Sequence, residues 1–170
     1  GRAAAPLLAA ALALSLTACG YRFARGPSEL LPAGTRLAIP IVENPTIEVG
    51  YETDVTAALR REFAAIDGVR IADSDDADVV MRAGIVEITS NAASFDKDFV
   101  ESERQIRVKM AASLVRRGEV VWRAPEILAD EYYYSTAESA ATRDNRREAL
   151  ARAARTLARQ IYLRVQGGWS

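Results

Sequence analysis

The sequence predicts an α+β fold, a two-layer sandwich in which two α-helices pack on one face of a mostly antiparallel, mixed sheet of four to five strands. Segments with apolar residues at alternate positions predict strands, and two segments with apolar residues three and four apart predict helices. The order is strand, helix, short strand, three long strands, helix. Two amphipathic helices need one apolar surface to cover, and a half-buried sheet supplies it.

Composition narrows the function before any element is placed. The chain has 170 residues, 49% of them hydrophobic and 26% charged, with a formal net charge of −1. This balance fits one globular domain and gives no reason to expect a nucleic-acid partner. The single cysteine excludes an internal disulfide, and the lack of histidine removes the usual general base and imidazole metal ligand. We therefore expect no metal site and no enzyme.

Residues 1–18 predict a secretory signal peptide. Arg2 supplies a positive charge, and the apolar run from Leu7 to Leu16 would form a helix of about 15 Å, too short for a bilayer core of about 30 Å. Small residues close the run, as at a signal cleavage site. Because the sequence does not begin with methionine, we expect at least one further residue before Gly1.

Residues 19–34 contain several glycines and prolines, which predicts a linker lying along the domain. Residues 35–43 alternate between apolar and other side chains, which predicts a half-buried strand. Pro40 has no backbone N–H, so we expect that strand at an edge of the sheet, or Pro40 facing away from its neighbour. The residues predicted to share its buried face are Leu37, Ile39 and Ile41.

Residues 44–68 predict the first helix, which has an irregular start and Gly68 as its C-terminal stop. Residues 69–72 predict a short strand. The acidic stretch 73–78 predicts a solvated turn, because it lacks the full spacing of calcium ligands. The apolar stripe of the helix consists of Val55, Ala58, Leu59, Phe63 and Ile66.

Three long strands are predicted to follow as a meander. The middle one alternates most clearly: five apolar residues share one face, and Arg107 and Lys109 lie with other polar residues on the opposite, open face. Its apolar residues are Ile106, Val108, Met110, Ala112 and Leu114. In chain order we expect the strand 79–90, the loop 91–100, the strand 101–117, a turn at Gly118 and the strand 120–134, interrupted around Pro125.

Residues 140–165 predict the last helix, ended by Gly167 and Gly168. In a meander, the loop 91–100 and the approach to this helix, residues 135–145, lie at the same end of the sheet. That end is expected to present four cations. They are Lys97, Arg143, Arg146 and Arg147.

The sequence Leu16-Thr17-Ala18-Cys19 resembles the lipobox of bacterial lipoproteins. In that family the signal is cut before the cysteine, whose thiol and new amino group are acylated. Several acyl chains, each contributing about 0.8 kcal/mol per buried CH₂, hold a protein on a membrane. The resemblance implies a covalent lipid on Cys19 as the only cofactor. In lipoproteins of this type, aspartate after the cysteine favours retention in the inner membrane. This chain has Gly20 at that position, which is compatible with the outer membrane.

A wider resemblance covers nearly all of residues 19–166. The lipobox, "CGYRF", "LPAGTRLAIPIVENPTIEVGYETDVTAALRREF" and "TRDNRREALARAARTLARQIYLRV" follow in an order and spacing similar to the LptE family of lipopolysaccharide-assembly lipoproteins. The match is weakest through residues 90–130. It implies a domain at 35–166 with a tail at 167–170, held on the periplasmic side of the outer membrane, plugging the barrel LptD and binding lipopolysaccharide.

The resemblance also points to ligand residues. In the family, basic residues in the loop between the middle strands and just before the last helix are tied to lipopolysaccharide binding. "TRDN" matches the second position at Arg143. The loop position falls on Lys97, where Asp96 and Asp98 weaken the local positive field. Arginine near a helix N-terminus can meet a phosphate with charge and backbone donors together.

Four residues are candidates for contact with the barrel. Tyr132 and Tyr134 carry rings with a polar tip, which are favoured at interfaces, although such alternating rings could instead pack on the helices. Arg107 and Lys109 lie on the open face, where they would meet a polar lumen. Trp122, on the same strand as the tyrosines, is predicted to be core.

Two other functions remain open at this point. The chain could be an auxiliary or pilot lipoprotein of another envelope machine, such as a secretin or a lipid-transport system. It could also be an enzyme that uses two carboxylates on a glycan, although no spacing of acidic residues identifies such a pair.

Overall fold

The computed structural model describes residues 26–95, 101–136 and 138–168. It contains a five-stranded sheet in the order β2-β1-β3-β4-β5. β1 pairs in parallel with β2 and β3, and the β3–β4 and β4–β5 pairs are antiparallel. The elements are β1 Arg36–Ala38, α1 Tyr51–Ala64, β2 Arg70–Ile71, a 3₁₀ turn Ser74–Asp76, β3 Val79–Phe95, β4 Glu101–Arg116, β5 Glu119–Tyr134 and α2 Ser139–Gly167.

One apolar layer lies between the sheet and the two helices, which confirms the predicted α+β sandwich. The apolar residues of β4 from Ile106 to Leu114 are buried at alternate positions, as predicted. The helices also pack on each other, where the rings of Phe63 and Tyr162 meet edge to face with centroids 6.0 Å apart. Burying each large apolar side chain contributes about 1.5–3 kcal/mol.

The first strand is shorter and more central than predicted. β1 ends at Ala38 and lies between β2 and β3, so the edge position, the first of the two alternatives for this strand, is wrong. Pro40 lies beyond the strand, where its missing N–H interrupts no ladder. The chain rejoins β3 at Glu43, whose carbonyl accepts a hydrogen bond from Ile85 N at 2.8 Å.

The predicted alternation also fails after Pro40. Ile41, expected on the buried face, is 67% exposed, whereas the neighbouring Val42 is buried. The hydroxyl of Thr56 accepts a hydrogen bond from Val42 N at 3.0 Å, and this buried contact holds the irregular segment against α1. Tertiary contacts therefore decide which side chain turns inward.

Gly68 does not end α1, which stops at Ala64. Gly68 instead has a φ of 79°, and its carbonyl accepts a hydrogen bond from Gly34 N at 2.6 Å. A Cβ at this position would lie 3.1 Å from the Cβ of Ala33. Glycine is therefore required by the close approach of the linker rather than by the helix end.

β3 continues to Phe95, so the first half of the predicted loop 91–100 is strand. Residues 96–100 lie outside the described part of the chain. Glu103 of β4 pairs with Ser94 on one side and with Tyr134 on the other. The end of β3 and the approach to α2 thus lie at the same end of the sheet, as predicted.

Pro125 does not interrupt β5. Met110 pairs with Ile127 and Ala112 pairs with Ala124, so β5 has one residue more than β4 between these pairs. The extra residue forms a β-bulge, in which a proline without an N–H costs no ladder bond.

Candidate functional site

A cavity of about 400 Å³ lies between the start of α1 and the first turns of α2. It is placed at the same end of the sheet as the end of β3. Three of the four predicted lipopolysaccharide-binding cations line it, and they differ in what they contact. Its lining residues are Glu48, Val49, Gly50, Tyr51, Asp54, Arg143, Arg146, Arg147 and Leu150.

Arg146 is fixed by an ion pair with Glu48. Its Nη1 and Nη2 each donate to one carboxylate oxygen of Glu48 at 2.6 Å, and both side chains are largely buried. This hydrogen-bonded contact raises the pKa of Arg146 above its ordinary value. A guanidinium that is already paired in this way forms the wall of the cavity rather than a free ligand group.

Arg147 and Arg143 are both exposed, and they differ in their contacts with the described residues. Arg147 donates to Asp144 at 3.0 Å, one helical turn away on the surface. Arg143 has no hydrogen bond or ion pair with any residue that the structure describes. Of the three arginines at this cavity, Arg143 is therefore the one that can bind an anion without breaking a contact to a described residue.

The first turn of α2 immediately precedes Arg143, and its charge also favours an anion. The first turn of the helix has no acidic residue, and Glu138 at the N-cap makes no side-chain cap. The positive end of the helix dipole is thus not neutralised by a carboxylate of the first turn. Asn145 donates to the carbonyl of Tyr134 at 3.0 Å, which ties this helix end to β5.

The opposite wall of the cavity is the loop of residues 44–50, which side-chain hydrogen bonds hold rigid. The amide of Asn44 donates to Glu48 O at 2.8 Å and to the carboxylate of Glu52 at 2.7 Å. Its carbonyl oxygen accepts from the backbone and hydroxyl of Thr46. The hydrogen bond from Asn44 lowers the pKa of Glu52 below its ordinary value.

Lys97 and Cys19 lie outside the described residues. The assignment of Lys97 to the ligand site and of Cys19 to lipid attachment therefore stay predictions. The described end of β3 at Phe95 is two residues before Lys97 in the chain.

The cations predicted on the open face are neutralised within the sheet. The guanidinium of Arg107 forms two hydrogen bonds with Asp130, at 2.7 and 2.8 Å. Lys109 pairs with Glu126. These contacts lower the pKa of Asp130 and of Glu126 below their ordinary values. The face is polar, as predicted, but these two residues do not present free positive charge.

Sequence reasoning missed two arginines on the same face. Arg82, Ser113 and Arg123 stand in register across β3, β4 and β5. They border a hollow of about 380 Å³. Neither arginine forms a hydrogen bond or ion pair with another described residue, although the carboxylate of Glu43 lines the same hollow. The two arginines come together only through the register of the strands, which the sequence did not specify.

The tyrosines of β5 divide between the two faces. Tyr133 is buried against the helices, and its hydroxyl lies 3.1 Å from Ser90 Oγ. Tyr132 and Tyr134 are 49% and 67% exposed, so both remain accessible to a partner. Trp122 is buried, which confirms its predicted place in the core.

Two kinds of feature are missing from the described residues. No group of three or more His, Cys, Asp or Glu side chains there could hold a metal ion. Within the same residues, no helix combines the length and apolar character needed to cross a bilayer.

Comparison with known families decides the assignment. The model of the family described as LptE, lipopolysaccharide-assembly, matches residues 35–165. The chain belongs to the LptE family. This family acts in lipopolysaccharide assembly without catalysis and is associated with the outer membrane, so the chain is a lipopolysaccharide-assembly protein and not an enzyme. Comparison with curated proteins finds no matching sequence.

Solved structures share the fold of this LptE-family chain. Lipoprotein B from Nitrosomonas europaea is 11% identical, with a TM-score of 0.57 over 85% of this chain and 87% of that one. A lipoprotein from Caulobacter crescentus is 18% identical, with a TM-score of 0.51 over 75% and 88%. PelC from Paraburkholderia phytofirmans, solved as a dodecamer, is 16% identical, with a TM-score of 0.50 over 82% and 93%. At these identities the likeness shows the fold alone.

Proposed function

We propose that this LptE-family protein is a lipid-anchored plug of an LptD-type outer-membrane barrel, and that it binds lipopolysaccharide at the start of α2. One observation carries the binding proposal: Arg143 borders a cavity of about 400 Å³ without a partner among the described residues. A phosphate is the ligand that an unpaired guanidinium beside a helix N-terminus fits best.

The neighbouring arginines would support Arg143 in different ways. Arg146 holds the loop of residues 44–50 against α2 through Glu48, which keeps the cavity open. Arg147 is paired with the exposed carboxylate of Asp144. Exposed ion pairs contribute little to stability, so Arg147 could exchange this partner for a phosphate. Lys97 would approach the same end of the sheet from the connection between β3 and β4, and supply a second cation.

The anchor would be the lipid on Cys19, exposed after residues 1–18 are removed. Residues 19–34 would then link the periplasmic leaflet of the outer membrane to the domain at 35–166, which is followed by the tail 167–170. The buried side chain of Leu31 supports this arrangement, because it fastens the end of the linker to the core. An unmodified Cys19 in the mass spectrum of the mature N-terminus would contradict it.

The surface of β4 and β5 supports the role of a plug. The open sheet face carries paired charges, Arg107 with Asp130 and Lys109 with Glu126, which suit the polar lumen of a barrel. Tyr132 offers an exposed ring beside these pairs, and its hydroxyl accepts a hydrogen bond from Gln105 at 3.2 Å.

Lipopolysaccharide binding by the purified protein tests the site. We expect Arg143→Ala to weaken binding about tenfold or more, because a hydrogen bond to a charged group contributes about 1.5–3 kcal/mol. Arg155→Ala is the matched control, since Arg155 is an exposed arginine of the same helix, remote from the cavity lining. Equal affinity of the Arg143→Ala and wild-type proteins would remove the site assignment without touching the fold.

A further inference from the structure

The loop before α1 displays two aliphatic side chains to solvent. Ile47 and Val49 are each 92% exposed, the highest values among the exposed large apolar residues of the described chain. Scattered exposed apolar residues are common on protein surfaces. These two are different because they stand on either side of one residue in a loop that is held in place.

Glu48 forces this display. Its carboxylate points inward to Arg146, so the side chains on either side of it point outward. The backbone of Glu48 is fixed as well: its carbonyl accepts from Asn44 Nδ2 at 2.8 Å, and its N–H donates to Thr46 Oγ1 at 3.3 Å. The loop therefore cannot turn Ile47 and Val49 inward without breaking a largely buried ion pair and two hydrogen bonds.

Val49 lies beside a cation that has no partner among the described residues, and Ile47 is two positions before Val49 in the same loop. Val49 lines the same cavity as Arg143, and so does Arg147, whose guanidinium is paired with Asp144 on the surface. Aliphatic side chains next to an unpaired cation match a molecule that carries phosphate beside hydrocarbon. A barrel lumen is polar and would offer Ile47 and Val49 no apolar surface to cover them.

We propose that Ile47 and Val49 contact an acyl chain of a phosphorylated glycolipid whose phosphate is bound at Arg143. The inference rests on the proposed function and adds the hydrocarbon half of the recognition to the phosphate half. It assigns the loop of residues 44–50 two tasks: its inner side orders the cavity through Glu48, and its outer side holds the acyl chain.

The test compares two probes on the full-length lipoprotein in mild detergent. The probes are intact lipopolysaccharide and the same lipopolysaccharide with its acyl chains removed, which keeps the phosphates. We expect the double variant Ile47→Ser/Val49→Ser to bind the intact form about tenfold or more weakly, since burying one aliphatic side chain changes affinity by roughly that factor. It should bind the deacylated form like the wild type.

Two further variants separate the possible outcomes. Arg143→Ala should weaken binding of both probes, and Leu163→Ser, which removes an exposed aliphatic residue near the other end of α2, should change neither. Unchanged binding of intact lipopolysaccharide by the double variant would overturn the inference, and the proposed function would stand if Arg143→Ala still lost affinity. The inference would also be overturned if the double variant lost equal affinity for both probes, or if it lost the barrel partner while lipid binding stayed intact.

Because both side chains are exposed, the double variant should fold like the wild type. A matching thermal unfolding midpoint confirms this before the affinities are compared. If the midpoint is lower, the affinities of the single variants Ile47→Ser and Val49→Ser are compared instead. Each should bind intact lipopolysaccharide more weakly than the wild type, by a smaller factor than the double variant, and should bind the deacylated form normally.

Discussion

Three arginines at the start of α2 have the same side chain and different surroundings. Arg146 is paired with Glu48, Arg147 with Asp144, and Arg143 with none of the described residues. The charge pattern of the sequence placed all three at this end of the sheet. It could not separate them, because Glu48 is 98 positions from Arg146 in the chain and only the folded structure brings them together.

At the residue scale, the Arg146–Glu48 pair should contribute measurably to stability. We expect Arg146→Ala to lower the free energy of unfolding by about 1–2 kcal/mol, because it leaves the Glu48 carboxylate largely buried and unpaired. Urea denaturation measures the change. Arg147→Ala, which removes an exposed pair, is the control and should leave the midpoint where it is. If the two variants lowered the free energy of unfolding equally, the greater burial of the Arg146–Glu48 pair would add nothing to stability.

Asp78 gives the protein a stability that depends on acid pH. Its carboxylate accepts hydrogen bonds from the side chain and backbone of Arg36, which lower its pKa to about 2. The contribution is present above the unfolded-state pKa of about 4 and is lost as pH falls through about 2. Wild type should therefore be more stable than Asp78→Asn near neutral pH, and the difference should shrink on acidification.

Denaturation at several pH values checks this behaviour. When Asp78→Asn is made in an Arg36→Ala background, its pH-dependent effect on stability should become smaller, since the backbone hydrogen bond and the charge of Arg70 are the interactions that remain. A destabilisation by Asp78→Asn that grows as pH falls would have the wrong sign for a carboxyl group with a depressed pKa.

At the scale of the elements, the long strands and both helices could be predicted because their apolar periodicity extends over many residues. The segment around Pro40 could not. A single proline shifts the alternation there, and contacts with Thr56 and β3 decide which residues face the core. At Pro125 the sequence predicted an interruption of the strand but not a bulge, since the form of the bulge depends on the register between β4 and β5.

The edge strand β5 illustrates another property hidden from local patterns. Polar side chains of α2 donate hydrogen bonds to its outward carbonyls: Arg152 to Tyr132 O at 2.7 Å and Gln160 to Leu128 O at 2.9 Å. The carbonyls of Glu126 and Tyr134 are bound by α2 in the same way. A covered edge resists pairing with another chain. Several polar residues on the solvent-exposed face of α2 thus protect the sheet edge from pairing with another chain.

The β4–β5 hairpin offers a stabilising substitution. Its two turn residues, Arg117 and Gly118, have φ values of 52° and 85°. A two-residue turn with two positive φ angles prefers Asn-Gly. We expect Arg117→Asn to raise the free energy of unfolding by about 0.5 kcal/mol and Gly118→Ala to lower it by about 1 kcal/mol. Thermal and urea unfolding measure both, and stabilisation by Gly118→Ala would contradict this turn geometry.

At the scale of the whole molecule, the fold and the family were accessible from the sequence, and the distribution of free charge was not. Arg107 and Lys109 were predicted on the open face and lie there, but their partners on β5 neutralise them. Arg82 and Arg123, which have no partner among the described residues, could be found on that face only from the strand register. A protein that works by fitting a partner depends on this distribution more than on the identity of single residues.

The central claim is that this body functions while held in a barrel and in contact with lipopolysaccharide. The most direct measurement is purification of the full-length lipoprotein from outer membranes in mild detergent, with identification of what stays bound. We expect a stoichiometric complex with one large outer-membrane barrel, together with bound lipopolysaccharide whose amount is reduced in the Arg143→Ala variant. Isolation without a barrel, or with a secretin or lipid-transport assembly in its place, would show that the protein is not the plug of an LptD-type barrel.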